Sequence, residues 1–225
     1  MTASDPLHPS PAFMLADRLV EQMAAQSPIT ATYMGVAGHD HRLDDYGPQE
    51  AERKQQRLVE QLAEVRSVPV LSDDDRVAVA IMVERLEADL EWHRTGEHLR
   101  DINVLGSPVQ MIRNVFTLMP TDTDEQWGVI ADRLSQVPAS LASVRATYAE
   151  GIAQDRAPAR RQVLGVVRVA EICAGITEDA SGVPGRSAAG GWFQGFIGGY
   201  TGSARHTTGT GCPIALHTVE AARAV

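Results

Sequence analysis

Leu105–Trp127, LGSPVQMIRNVFTLMPTDTDEQW, is the stretch that decides the fold. Ser107 stands before Pro108, pairing a capping hydroxyl with a residue that loses nothing at the first helical position, where its missing donor would be unpaired anyway. Val109, Ile112, Val115, Phe116 and Met119 then recur at helical spacing and stop at Pro120. Thr123 and Gln126 have the spacing of a capping box, in which each side chain satisfies a backbone N–H of the other's turn. Trp127 begins the apolar face of the next helix.

The same punctuation recurs outward from this block. Ser10-Pro11 opens a helix with Leu15, Leu19 and Met23 on one face, and Ser27-Pro28 stops it. Residues 29–47 carry no period and read as an ordered loop. Gly47-Pro48 restarts a helix faced by Ala51, Leu58, Leu62 and Val65. Ser72 caps the next, with Asp73, Asp74 and Asp75 where the helix dipole is positive, and Val79, Val83, Leu86 and Leu90 form its stripe. Gly96 is placed to terminate it. Beyond Trp127 come Ile130 and Leu134, then a break at Pro138. Leu141, Val144, Tyr148 and Ile152 continue on a new axis, and Pro158 opens a last helix faced by Val163, Val166, Val167 and Ala170. β-Branched residues fall at helical spacing rather than in alternation. The expectation is an all-α fold, an irregular bundle of about seven helices over residues 1–181. Residues 182–225 form a second region, a glycine-rich and poorly specified tail holding more than half of the 19 glycines.

The chain has 225 residues, of which 44% are hydrophobic and 22% charged, enough apolar material for a real core. A net charge of -9 opposes binding to nucleic acid, whose phosphates need a basic face, and to an anionic membrane surface. No run approaches the ~18 apolar residues of a membrane span. Cys173 and Cys212 read as reduced thiols, and the polar, proline-rich start has no leader pattern, so the cytoplasm is the expected compartment.

Motifs that carry chemistry are sparse. His39-Asp40-His41-Arg42 is the densest polar cluster: either a turn hydrogen-bonded to neighbours or a loop facing a substrate. A closed zinc site needs four ligands, and this cluster does not supply them. His93 and His98 are five apart, off the i, i+4 spacing of a ligand pair, and read as helix-surface histidines. His206, Cys212 and His217 are too widely spaced for a zinc module. Arg160 and Arg161 suit a salt bridge to a neighbouring helix. Ser107, Gln110 and Arg113 share one face of their helix, as a cap with a solvated stripe or as the polar lining of a cleft. His39, His41, Arg42, Ser107, Gln110 and Arg113 are therefore the candidate substrate- or partner-facing residues. No catalytic residue and no metal ligand is assigned.

Three stretches carry a family resemblance: ATYMGVAGHDHRLDDYGP (31–48), INVLGSPVQMIRNVFTLMPTDTDEQWGVIADRLSQVPASL (102–141) and GIAQDRAPARRQV (151–163). In order and spacing they resemble the N-terminal part of the bacterial domain-of-unknown-function family 885, from about Pro11 to Val169 and on through Tyr200. The resemblance implies a largely helical protein. It also implies relatives more than twice as long that look like zinc metallopeptidases, with the histidine and glutamate metal motif in their C-terminal half. None of those ligands maps onto this sequence, so zinc is expected only in the longer relatives. The implied role is a helical N-terminal portion, not catalytic by itself, whose partner is a separate C-terminal half or a second copy. The chain is expected to depart from the family after Gly182 and to diverge near Thr201. A helical interaction or regulatory module acting through exposed apolar surface is the alternative.

Overall fold

The computed structural model describes residues 10–173. Over these residues the chain forms eight α-helices and two 3-10 turns, with no strand. The helices are α1 (Pro11–Gln26), α2 (Pro28–Met34), α3 (Pro48–Ser67), α4 (Asp73–Arg94), α5 (Pro108–Asn114), α6 (Asp124–Ser135), α7 (Val137–Ala153) and α8 (Arg160–Cys173). The 3-10 turns are Glu97–Arg100, after α4, and Val115–Leu118, which extends α5 to Met119. The all-α bundle is as the sequence predicts. The glycine-rich tail from Gly182, with His206, Cys212 and His217, lies outside the described residues.

Serine and threonine caps start the helices where the sequence places them. Ser10, Ser72 and Thr123 each accept from the backbone N–H three residues on, and Thr123 with Gln126 closes a complete capping box. Asp75 does more than complement the helix dipole. It is buried, accepts from Ser10 Oγ and from the Leu71 N–H, and so ties the starts of α1 and α4 together.

Two departures from the predicted elements have clear causes. Ser27-Pro28 does end α1, but it also opens α2, so part of the expected loop is helix. Ser27 caps α2, and Gly35 ends it in the left-handed conformation at φ 73°. The carboxylate of Asp44 supplies the rest of the cap, taking the Ile29 N–H at 2.8 Å and Ser27 Oγ at 2.5 Å. A seven-residue helix whose cap comes from so far along the chain leaves no local period to read. In α7, the inward position after Tyr148 is Gly151 rather than Ile152, which is 40% exposed. The helix meets the Glu97–Arg100 turn there, and only a glycine admits the approach.

The core has two parts. The main cluster joins Ile29 of α2 and Ile102 to Val109, Ile112, Val115, Phe116, Met119, Ile130, Val137, Leu141, Val144, Tyr148 and Val166. The other part is a layer of α1, α3 and α4, closed by Ala12, Leu15, Ala24, Leu58, Leu62 and Val65. The stripe of α4 (Val79, Val83, Leu86, Leu90) faces this layer but is only half-buried. No helix among the described residues is long and apolar enough to cross a membrane.

The unperiodic segment between α2 and α3 is held by a polar stripe along α6 and α7. Arg133, Gln136, Ser140, Ser143 and Thr147 recur every three or four residues. Arg133 Nε donates to the Arg42 carbonyl at 2.7 Å, and Gln136 Nε2 to the His41 carbonyl at 2.6 Å. Ser140 and Thr147 hydroxyls donate to the Asp44 and Tyr46 carbonyls at 2.7 and 2.6 Å. Ser143 Oγ accepts the Tyr46 N–H at 2.9 Å. A loop packed against helices must find partners for the backbone groups it covers, and this stripe provides them.

Candidate functional site

Where the α1–α3–α4 layer meets α7, two cavities adjoin. One, of about 170 Å³, is lined by Tyr46, Trp92, His93, His98, Asp101, Thr147, Tyr148 and their neighbours. The other, of about 360 Å³, runs between α1, α3 and α4 past Arg57, Gln61 and Asp89. Asp45, Tyr46, Glu50 and Lys54 line both, so the pair forms one trough.

His93 and His98 overturn their expected place on the helix surface. His93 is 8% exposed, His98 is half-buried, and their rings lie 4.6 Å apart at 36°. The five-residue spacing misleads because α4 ends between them. Gly96, at φ 71°, reverses the chain and returns His98 over His93. The turn is fixed from behind by Arg156, whose guanidinium donates to the Thr95 carbonyl against Gly96. On the opposite wall, Tyr148 Oη donates to the Asp101 carbonyl at 2.6 Å.

Burial sets the charge state of the site. Desolvation, then the nearby His98 and Lys54, lowers the His93 pKa to about 4. His98 is lowered too, chiefly by desolvation, against a hydrogen bond to the Trp92 backbone. Desolvation raises Asp101, opposed by the Asn103 side chain, and raises Tyr148 with help from Asp101. Tyr46 is pushed well up by desolvation and then by Asp44. Two imidazoles held neutral beside two protonated phenols make a site that accepts and donates hydrogen bonds without carrying charge on its rings.

The lowered histidines give a pH dependence with a definite sign. An unfolded imidazole binds its proton near pH 6.5, whereas folded His93 binds it only near 4. Between these values the unfolded chain holds more protons. The stabilisation is therefore complete above pH 6.5 and is lost as pH falls towards 4. The His93 share amounts to about 2 kcal/mol between about pH 7.5 and pH 5. Asp44 and Asp101, with raised pKa values, act in the opposite sense at the acid end. Urea unfolding of wild type and His93→Phe at both pH values separates the contributions. The variant should show the shallower loss; equal losses would mean that His93 does not titrate this way.

The six predicted site residues lie elsewhere. His39, His41 and Arg42 sit on the loop that Arg133 and Gln136 hold by its carbonyls; His41 and Arg42 side chains are exposed, and His39 Nδ1 is buried without a partner. Ser107 and Gln110 are fully buried, which overturns the solvated-stripe reading. Ser107 occupies the cap position, but its hydroxyl donates to the Asn103 carbonyl at 2.9 Å instead of capping α5. Gln110 Nε2 has no partner, and Arg113 Nε donates to Asn114 Oδ1 at 2.9 Å. No hydrogen bond or ion pair joins these two groups, and none of the six lines either cavity. Arg160 and Arg161 are exposed, and among the described residues neither forms an ion pair.

Residues 28–204 match the family described as "Bacterial protein of unknown function (DUF885)". The chain belongs to this family. The match begins at α2 and runs past Gly182 to residue 204, so the expected departure from the family after Gly182 is overturned; α1, which lines the larger cavity, lies before the match. No curated protein matches the chain. Among the described residues no three His, Cys, Asp or Glu side chains come together as they would to hold a metal ion; the His93–His98 pair supplies two.

Proposed function

We propose that this chain is a helical, non-catalytic region of a metallopeptidase-like protein, where it forms one wall of a substrate cleft. The observation that carries the reading is the trough itself. It is built on rigid helices, lined by aromatic rings and a few converging polar groups, and it collects the most perturbed titratable side chains described. Metal ligands and nucleophile then come from a partner half, as the family resemblance suggests.

The test is complementation. The purified chain alone should bind no stoichiometric zinc and hydrolyse no peptide. Mixed with the separately expressed C-terminal half of a longer family member, it should confer peptide hydrolysis that neither part has alone. Turnover or stoichiometric zinc in the isolated chain would overturn the reading.

The alternative, an interaction module, draws on a specific surface. Leu71 is 71% exposed, and Val77 and Ile81, one turn apart on α4, are 59% and 57% exposed. If apolar docking is the function, sedimentation of the same preparation shows a dimer that dissociates in Ile81→Glu, and complementation fails.

A further inference from the structure

The smaller cavity has an imbalance that its own residues do not resolve. His98 lines the cavity half-buried, and its Nδ1 has no hydrogen-bond partner. His93 is more than nine-tenths buried, lines the cavity, and has an unpartnered Nδ1 as well. Asp101 Oδ1 takes a hydrogen bond from Asn103 at 3.3 Å, while Oδ2 takes none among the described residues. Asp45 and Glu50 add carboxylates at the rim, with Glu50 tied outward to Arg53 and Arg57. Against these, Lys54 is the one cationic side chain in the lining. Three carboxylates therefore line the cavity against one cationic side chain. A buried acceptor left unmatched costs about 1–3 kcal/mol, so a donor-bearing ligand has much to gain here.

The walls specify the rest. Tyr46, Trp92 and Tyr148 present aromatic rings, which attract a cation placed over their faces. Pro108 and Val144 make the remainder apolar. The cavity, at about 170 Å³, has room for one small head group and a short stem, not for a fused ring system or a nucleotide. An anion would meet Asp45, Glu50 and Asp101, with Lys54 as the one cationic side chain in the lining.

We infer that this cavity takes an organic cation bearing N–H donors, an ammonium or guanidinium group, with Asp101, His93 and His98 as acceptors and the Tyr46, Trp92 and Tyr148 rings as walls. This rests on the cleft reading for its biological sense, since a basic side chain of a peptide is one source of such a group. A free small amine is the other. The binding itself belongs to this chain alone.

Titration of the full chain with three probes decides between them: N-acetylarginine amide, its neutral isostere N-acetylcitrulline amide, and agmatine. The arginine amide should bind at least about tenfold more tightly than the citrulline amide. It should also shift the imidazole proton resonances of His93 and His98. Asp101→Asn should weaken it by a similar factor, and because the resonance shifts are read in wild type, a folding defect in the variant does not remove the test. Tighter binding of the arginine amide than of agmatine identifies a peptide side chain as the source; the reverse identifies a free amine. Equal affinity for the arginine and citrulline amides, or no binding at about 10 mM, overturns the inference. Complementation can succeed while cation binding fails, or the reverse, so the two results are separable.

Discussion

Arg133→Met is expected to lower stability by about 3 kcal/mol or more, the largest loss of any single side chain here. Arg133 is fully buried, and its guanidinium serves α2 and the loop after it at once. Nε donates to the Arg42 carbonyl, while Nη2 donates to the Pro28 carbonyl at 3.1 Å and to Thr32 Oγ1 at 2.9 Å. Asp40 lies 3.8 Å away and balances the charge. Methionine fills much of the volume and removes a buried charge, which is a gain. It also strips partners from the Arg42 and Pro28 carbonyls, the second of them in a buried bond, and that loss is larger. Arg133→Lys should recover only part of the stability, because an ammonium cannot span three acceptors in different directions. Urea unfolding measures the loss. Hydrogen exchange locates it, with protection falling first over residues 28–46 and last in α3 and α4. A loss below about 1 kcal/mol would mean that the loop is held by something other than this residue.

Gly151→Ala should cost about 2–3 kcal/mol, although alanine is the better helix former by about 1 kcal/mol. A Cβ at Gly151 would stand 2.4 Å from the Leu99 carbonyl oxygen and 3.1 Å from Leu99 Cβ. Backbone cannot rotate out of the way as a side chain can. The Glu97–Arg100 turn must move off α7, carrying His98 away from His93 and straining the Tyr148–Asp101 hydrogen bond. Stability and cavity should therefore fail together. Gly128 is the control: exposed in α6 with nothing within 4 Å, its alanine variant should be more stable by up to about 1 kcal/mol. Thermal unfolding of both variants should shift in opposite directions. A shift in the same direction would mean that helix propensity, not the contact with Leu99, governs position 151.

These two residues mark where sequence reading stopped. Ser10, Ser72 and the Thr123–Gln126 box were legible because a cap and its helix lie within four residues of each other. Arg133 had a signal, since it heads a polar stripe that continues through Gln136, Ser140 and Thr147, yet such a stripe is equally consistent with a solvated face. What it grips lies about 90 to 105 residues away in the chain. The trough was less legible still. His93 and His98 were visible as residues, but their pairing depends on one left-handed glycine and on the α7 surface behind it. Ser107 and Gln110 were visible as a face, but which side of α5 the bundle covers is decided by its neighbours.

By itself the sequence determined most local elements: which segments other than α2 are helical, about where each begins, which face of most is apolar, and that the domain is all-α. Those are short-range matters, settled by backbone hydrogen bonds, capping and hydrophobic period within a few residues. Only the tertiary structure decided that the unperiodic loop is held by α6 and α7, that α2 is a helix, and that His93 and His98 share a cavity with Asp101 and three aromatic rings. The physical reason is that polar satisfaction and desolvation are properties of what surrounds a group, and in this fold the surroundings are assembled from residues far apart in the chain.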